Sequence, residues 1–253
     1  SRNLMTVRIA QDVGMDVVAG YAERFGIYKD MPQLISYSLG AGETTLFNVV
    51  AAYAMFANGG LRVEPTLVDR VQDRYGETIY RHDRRTCEGC LGPTLEAAAH
   101  PEILSRAERI MDPITAYQIT SMLQGVVSRG TAAGTVGRLK LNLAGKTGTT
   151  NEAKDVWFVG YSPRIAAGCY MGYDTPRPLG ESAFGGTLCA PVFVEFIKAA
   201  MEGQGPVSWP VPPGGQFIKI DRRTGQRLPD SASGDNVQSE YVRDGQDLRS
   251  EEH

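Results

Sequence analysis

One lysine, three threonines and two glycines fall within seven consecutive positions, Ala144-Gly145-Lys146-Thr147-Gly148-Thr149-Thr150. They follow the alternating run Leu139-Lys140-Leu141-Asn142-Leu143 and precede Asn151-Glu152-Ala153-Lys154-Asp155-Val156-Trp157. A lysine with neighbouring hydroxyls at the end of a strand can bind a carboxylate. Glycine lets a ligand approach the backbone closely, and backbone N–H groups left bare there can receive an oxyanion. A second polar group opens the chain as Ser1-Arg2-Asn3, where Ser1 offers a hydroxyl and Asn3 both a donor and an acceptor. Taken alone, Ser-x-Asn is more simply read as a helix cap.

Gly145-Lys146-Thr147 also resembles the end of a phosphate-binding loop. That motif requires a glycine five positions before Gly145, and Lys140 stands there. The preceding segment is strand-like, and no helical pattern follows. A surface strand with an exposed lysine is the bland alternative for any isolated Lys-Thr-Gly.

These 253 residues can bury a full core. The net charge of −3 and the lack of a basic face argue against nucleic acid as a partner. No apolar run approaches the ~18 residues of a membrane span, so a secretory address or anchor would have to lie upstream of Ser1. No cofactor or metal site is expected. The four cysteines are Cys87, Cys90, Cys169 and Cys189. Cys87-Glu88-Gly89-Cys90 lies in a loop flanked by His82 and His100, with spacings that fit no standard zinc site. In an oxidising compartment a local Cys87–Cys90 disulfide is the economical reading, with free thiols or a metal or redox pair as alternatives. Cys169 and Cys189 read as small core residues.

The elements that must position these groups follow from periodicity. A helix starts near Asn3, and another spans 17–25 between Asp16 as N-cap and Gly26. Thr45 caps a helix carrying Leu46, Val49, Val50, Tyr53 and Ala57. Residues 66–71 and 77–81 form a hairpin, and 82–111 read as an irregular insertion. Asp112-Pro113 starts a helix that ends at Arg129-Gly130-Thr131. Strands are expected over 139–149, 155–161 and 165–173, the last two joined by the turn Ser162-Pro163-Arg164. Ala190-Pro191 opens a final helix packed on the sheet. Residues 204–229 are rich in proline and glycine and include a short hairpin, and 230–253 read as an acidic, disordered tail. This order gives an α+β fold.

In this order the chain carries Ser1-x-Asn3, Gly40-Ala41-Gly42-Glu43, Ala57-Asn58-Gly59-Gly60, Ser128-Arg129-Gly130-Thr131-Ala132, Ala144–Thr150 and Asp155-Val156-Trp157-Phe158-Val159-Gly160-Tyr161. Over residues 1–203 it resembles the transpeptidase domain of class A, bifunctional penicillin-binding proteins. The resemblance implies the penicillin-binding/serine β-lactamase-like fold. It also implies acyl transfer on D-Ala-D-Ala through an acyl-serine, with β-lactams acylating the same serine. On that resemblance Ser1, Asn3 and Lys146 are catalytic, and Thr147, Gly148 and Thr149 bind substrate. Peptidoglycan stem peptides and β-lactams are the partners.

One element of the pattern is missing: no serine in the chain has a lysine three residues later. In the family that S-x-x-K motif lies upstream of S-x-N. The nucleophile, a glycosyltransferase domain and a membrane anchor are therefore expected in sequence upstream, on the periplasmic side of the membrane. This chain alone is then expected to be inactive. A DD-carboxypeptidase or β-lactamase-type hydrolase, or a non-catalytic penicillin-sensing module, are the alternative readings.

Overall fold

A computed structural model of the chain describes residues 2–88, 90 and 102–246. Helix α1 (Asn3–Val13) is followed at once by α2 (Met15–Arg24). The break falls at Gly14, so Asp16 lies inside the first turn of α2, and the expected Asp16 cap does not form. The acidic side chain still suits that end of the helix. After a 3-10 turn at Ile35–Leu39 comes α3 (Leu46–Ala57). Its cap is Thr45, whose hydroxyl accepts from the Asn48 N–H at 3.1 Å.

Two small hairpins follow. Strands β1 (Arg70–Gln72) and β2 (Thr78–Arg81) pair antiparallel, as do β3 (Thr86–Glu88) and β4 (Glu102–Leu104). The second pair gives order to part of 82–111, a segment expected from its composition to be irregular. A Cys87–Cys90 disulfide lies beside β3, with Cα atoms 5.7 Å apart. Helix α4 (Pro113–Arg129) starts with proline in its first turn, and the Asp112 carboxylate accepts from the N–H groups of Ile114 and Thr115.

The central sheet comprises β5 (Ala144–Thr149), β6 (Asp155–Tyr161) and β7 (Ala166–Gly172), antiparallel in the order β5-β6-β7. The Ser162 hydroxyl closes the β6–β7 turn by accepting from Arg164 and Ile165 N–H. Helix α5 (Cys189–Ala200) covers one face, where Phe158 meets Phe193 at a ring separation of 4.7 Å amid Val156, Val136, Leu143 and Ile197. Helices α3 and α4 cover the other. There the buried Tyr161 hydroxyl bonds Thr120 at 2.9 Å and its ring meets Tyr53. Burying these phenols pushes Tyr53 up to about 12 and raises Tyr161 as well.

Three further expectations are corrected. The strand does not begin at Leu139. Residues Val136–Leu139 form a 3-10 turn, Lys140 takes a left-handed φ of 52°, and regular pairing starts at Ala144. The leucine alternation there reflects packing of Leu139 and Leu143 into the core under α5. Cys169 and Cys189 are core residues but also a disulfide joining β7 to the start of α5, with Cα atoms 5.3 Å apart. The acidic tail does not extend over all of 230–253: β10 (Val237–Arg243) pairs with β8 (Gly215–Asp221), which also pairs with β9 (Arg227–Leu228). Tyr241 explains this pairing. Its ring packs against Phe217 and Tyr117, its carbonyl accepts from Gln118 of α4, and Arg243 pairs with Asp112 at 2.7 Å. Residues 247–253 lie outside the described residues.

Candidate active site

Strand β5 carries Lys146, Thr147, Gly148 and Thr149 at the border of its sheet, since among the described residues only β6 pairs with it. Alternation places Lys146 and Gly148 on the face toward α3 and α4, and Thr147 and Thr149 on the face toward α5. The neighbours agree. A Cβ added to Gly148 would lie 3.1 Å from the Trp157 Cβ, whereas the Thr149 hydroxyl accepts from the Gly185 N–H at 3.1 Å on the α5 side.

The border position reunites the two faces. Thr150 N–H bonds the carbonyl of Asp155 on β6, so residues 146 and 148 also point their backbone groups inward. The N–H and C=O groups of Thr147 and Thr149 therefore point out from the unpaired edge. The Lys146 ammonium curls around to that edge and donates to the Thr147 carbonyl at 2.9 Å. Partial burial pushes the Lys146 ammonium below its usual range. One edge thus gathers a cation, two outward N–H groups and two hydroxyls.

The walls come from three other segments. The α4 C-terminus delivers Thr131, whose hydroxyl lies 2.8 Å from that of Thr147. The segment before α5 places Gly185 against the strand. Any Cβ there would lie 2.1 Å from the Trp157 carbonyl and 2.6 Å from that of Gly148. Trp157 is half-buried and meets the Tyr170 ring at 4.6 Å, tilted by 50°, on the opposite face. Asn3 is exposed at the start of α1, and no hydrogen bond among the described residues links it to β5. Ser1 lies outside the described residues.

Residues 1–198 match the family model for the penicillin binding protein transpeptidase domain. The chain belongs to the penicillin-binding protein transpeptidase family. Penicillin-binding protein 1A of Rickettsia typhi is 39% identical over 260 residues, covering 98% of this chain and 33% of that protein. Its counterpart in Neisseria gonorrhoeae is 36% identical over 206 residues, covering 81% of this chain and 24% of that one. The chain thus spans about a third of the length of the first curated relatives it matches. The crystal structure of penicillin-binding protein 1A from Haemophilus influenzae superposes with a TM-score of 0.79 at 24% identity, over 96% of this chain and 38% of that one. PonA1 of Mycobacterium tuberculosis in complex with penicillin V superposes at 0.57 and 21% identity, over 76% and 51%. These likenesses establish the α+β penicillin-binding fold for the transpeptidase domain described above.

Sequence reasoning did not assign two contributors to this site, Thr131 and Gly185. Thr131 belongs to the Ser128–Ala132 motif, but its meeting with Thr147 depends on how α4 docks on β5. Gly185-Gly186 was a visible pair whose reason emerges only against the strand backbone.

Proposed function

We propose that this chain forms the distal wall of the active site of a serine-type peptidoglycan DD-transpeptidase, with the nucleophile supplied by sequence upstream. The observation that carries this reading is the convergence of Lys146, Thr147 and Thr149 on the unpaired edge of β5. A D-Ala-D-Ala terminus laid along that edge would extend the sheet. Its carboxylate would meet the ammonium of Lys146 and the hydroxyls of Thr147 and Thr149. The outward N–H of Thr149 would be one donor to the oxyanion, and the nucleophilic serine's own N–H the other.

In the first half-reaction the serine oxygen attacks the penultimate D-Ala carbonyl. The C–N bond breaks, and the terminal D-Ala leaves as an amine after gaining a proton. Ser1 would relay that proton, and Asn3 would be the amide that orients substrate. An amine of a second stem peptide then attacks the acyl-serine and forms the cross-link. Covalent catalysis splits one hard step into two easier ones. A β-lactam acylates by the same attack. The transpeptidase works on the extracytoplasmic side of the membrane, anchored through a segment outside this chain; no helix among the described residues is long and apolar enough to cross a membrane.

The test uses the full-length protein and stem pentapeptide. Released D-Ala should appear with cross-linked dimer, and Lys146→Ala should lower acylation by benzylpenicillin by about 10²–10³-fold. Hydrolysed monomer without dimer would move the reading to a carboxypeptidase. Wild-type protein that fails to acylate would end it.

A further inference from the structure

We propose that Thr131 is a positioning residue that commits the Thr147 hydroxyl to donating toward a bound carboxylate. This rests on the reading above, in which a carboxylate occupies the unpaired edge of β5. The argument starts from the two threonines on one face of that strand. The Thr149 hydroxyl oxygen already receives the Gly185 N–H at 3.1 Å. Its own proton is then directed away from Gly185 and is available to an anion.

Thr147 lies two residues earlier on the same face, where no backbone N–H plays that part among the described residues. Its neighbour is the Thr131 hydroxyl at 2.8 Å, the ordinary length of an O–H···O bond. A hydroxyl has one proton and two lone pairs. With no ligand the pair works in either direction. When Thr147 gives its one proton to a carboxylate at the edge, it has none left for Thr131, and the 2.8 Å contact persists as a hydrogen bond only with Thr131 as donor. The bound state therefore fixes the chain as Thr131 O–H to Thr147 O–H to carboxylate, each link polarising the next.

The surroundings keep the pair aligned. Thr131 follows directly on the end of α4, and the Ala132 N–H bonds back to the Val126 carbonyl of that helix. Gly186 closes the far side, where a Cβ would lie 3.1 Å from the Thr131 carbonyl and 3.9 Å from the Thr147 methyl. Thr131 does not itself need to touch the ligand. It is a part of the carboxylate site that comes from another element and lies 15 positions before Lys146 in the sequence.

The test compares Thr131→Val and Thr131→Ser in the full-length protein, using stopped-flow acylation by benzylpenicillin and by its methyl ester. Valine keeps the shape and removes the hydroxyl. Thr131→Val should slow acylation by the free acid about 5–10-fold, the scale of one hydrogen bond. It should leave the slower reaction of the ester within about twofold, because the ester presents no carboxylate to recognise. Thr131→Ser should restore the acid rate. In a Thr147→Val background, Thr131→Val should add nothing further. Equal slowing of acid and ester would reassign Thr131 to folding of the loop and overturn the proposal. So would an unchanged acid rate, or a serine variant as slow as valine. Wild-type protein that no β-lactam acylates would instead overturn the transpeptidase reading, and this one with it.

Discussion

Gly185 and Gly148 touch across the α5-side face of β5, yet alanine should behave differently at the two. At Gly185 a Cβ would strike two backbone carbonyls, at 2.1 and 2.6 Å, and neither can move without shifting β5 or β6. At Gly148 the nearest atom is the Trp157 Cβ at 3.1 Å, on the opposite face, and a shift of a few tenths of an ångström relieves it. Gly185→Ala should therefore cost about 1–3 kcal/mol, the range for forced overpacking, and detach the N–H that holds Thr149. Gly148→Ala should cost less in denaturant unfolding while still impeding a peptide laid along the edge. A larger loss of stability at Gly148 than at Gly185 would contradict this. The lysine teaches a related point: strict alternation separates Lys146 from Thr147 and Thr149, and only its long flexible stem, reaching the Thr147 carbonyl, brings the three groups to one edge.

Helix α4 carries Thr131 at one end and is clamped at the other. Asp112 caps it through the N–H groups of Ile114 and Thr115 and pairs with Arg243 from β10. Asp112→Ala should lower stability by about 1 kcal/mol, the usual loss for a cap; the exposed ion pair adds little. Burial alone would raise the Asp112 carboxyl, but the Thr115 N–H, Arg243 and the Ile114 N–H outweigh it and hold the group below the usual carboxylate range. A carboxyl depressed in the folded state favours folding above its unfolded value near 4, and that contribution fades as pH falls through the lower folded value. The stability gap between wild type and Asp112→Asn should thus shrink on acidification below about pH 4, measured by melting at each pH. This element was plain in the sequence because Asp-Pro is a local start signal. Strands β6 and β7 were equally plain, bounded by Ser162-Pro163-Arg164. The start of β5 was not, because Leu139-x-Leu141-x-Leu143 has strand period while its backbone turns at Lys140. Strand β10 was hidden by its polar neighbours; its Tyr241 finds Tyr117 and Phe217 only in the folded chain.

Across the whole molecule the apolar surface is uneven. Leu4 and Ile9 of α1 are 65% and 58% exposed, and Met5, Val13, Val17 and Tyr21 are open beside them. Exposed apolar side chains on two successive helices suit a contact surface, and under the proposed function the segment carrying the nucleophile would cover them. Residues 1–253 alone should bind a hydrophobic dye and resist labelling by fluorescent penicillin. Stoichiometric labelling of that chain would show that the acylated serine lies within it. The Cys169–Cys189 bridge bears on handling. It closes a loop of 20 residues that includes Gly185, the donor to Thr149. Severing it should remove about 3 kcal/mol of cross-link stabilisation. Material reduced with dithiothreitol differs from the oxidised protein only by the hydrogens added at its disulfides, yet under the proposed function it should meet a β-lactam with a slackened rim, so acylation rates taken in reducing buffer should fall below those of the oxidised protein.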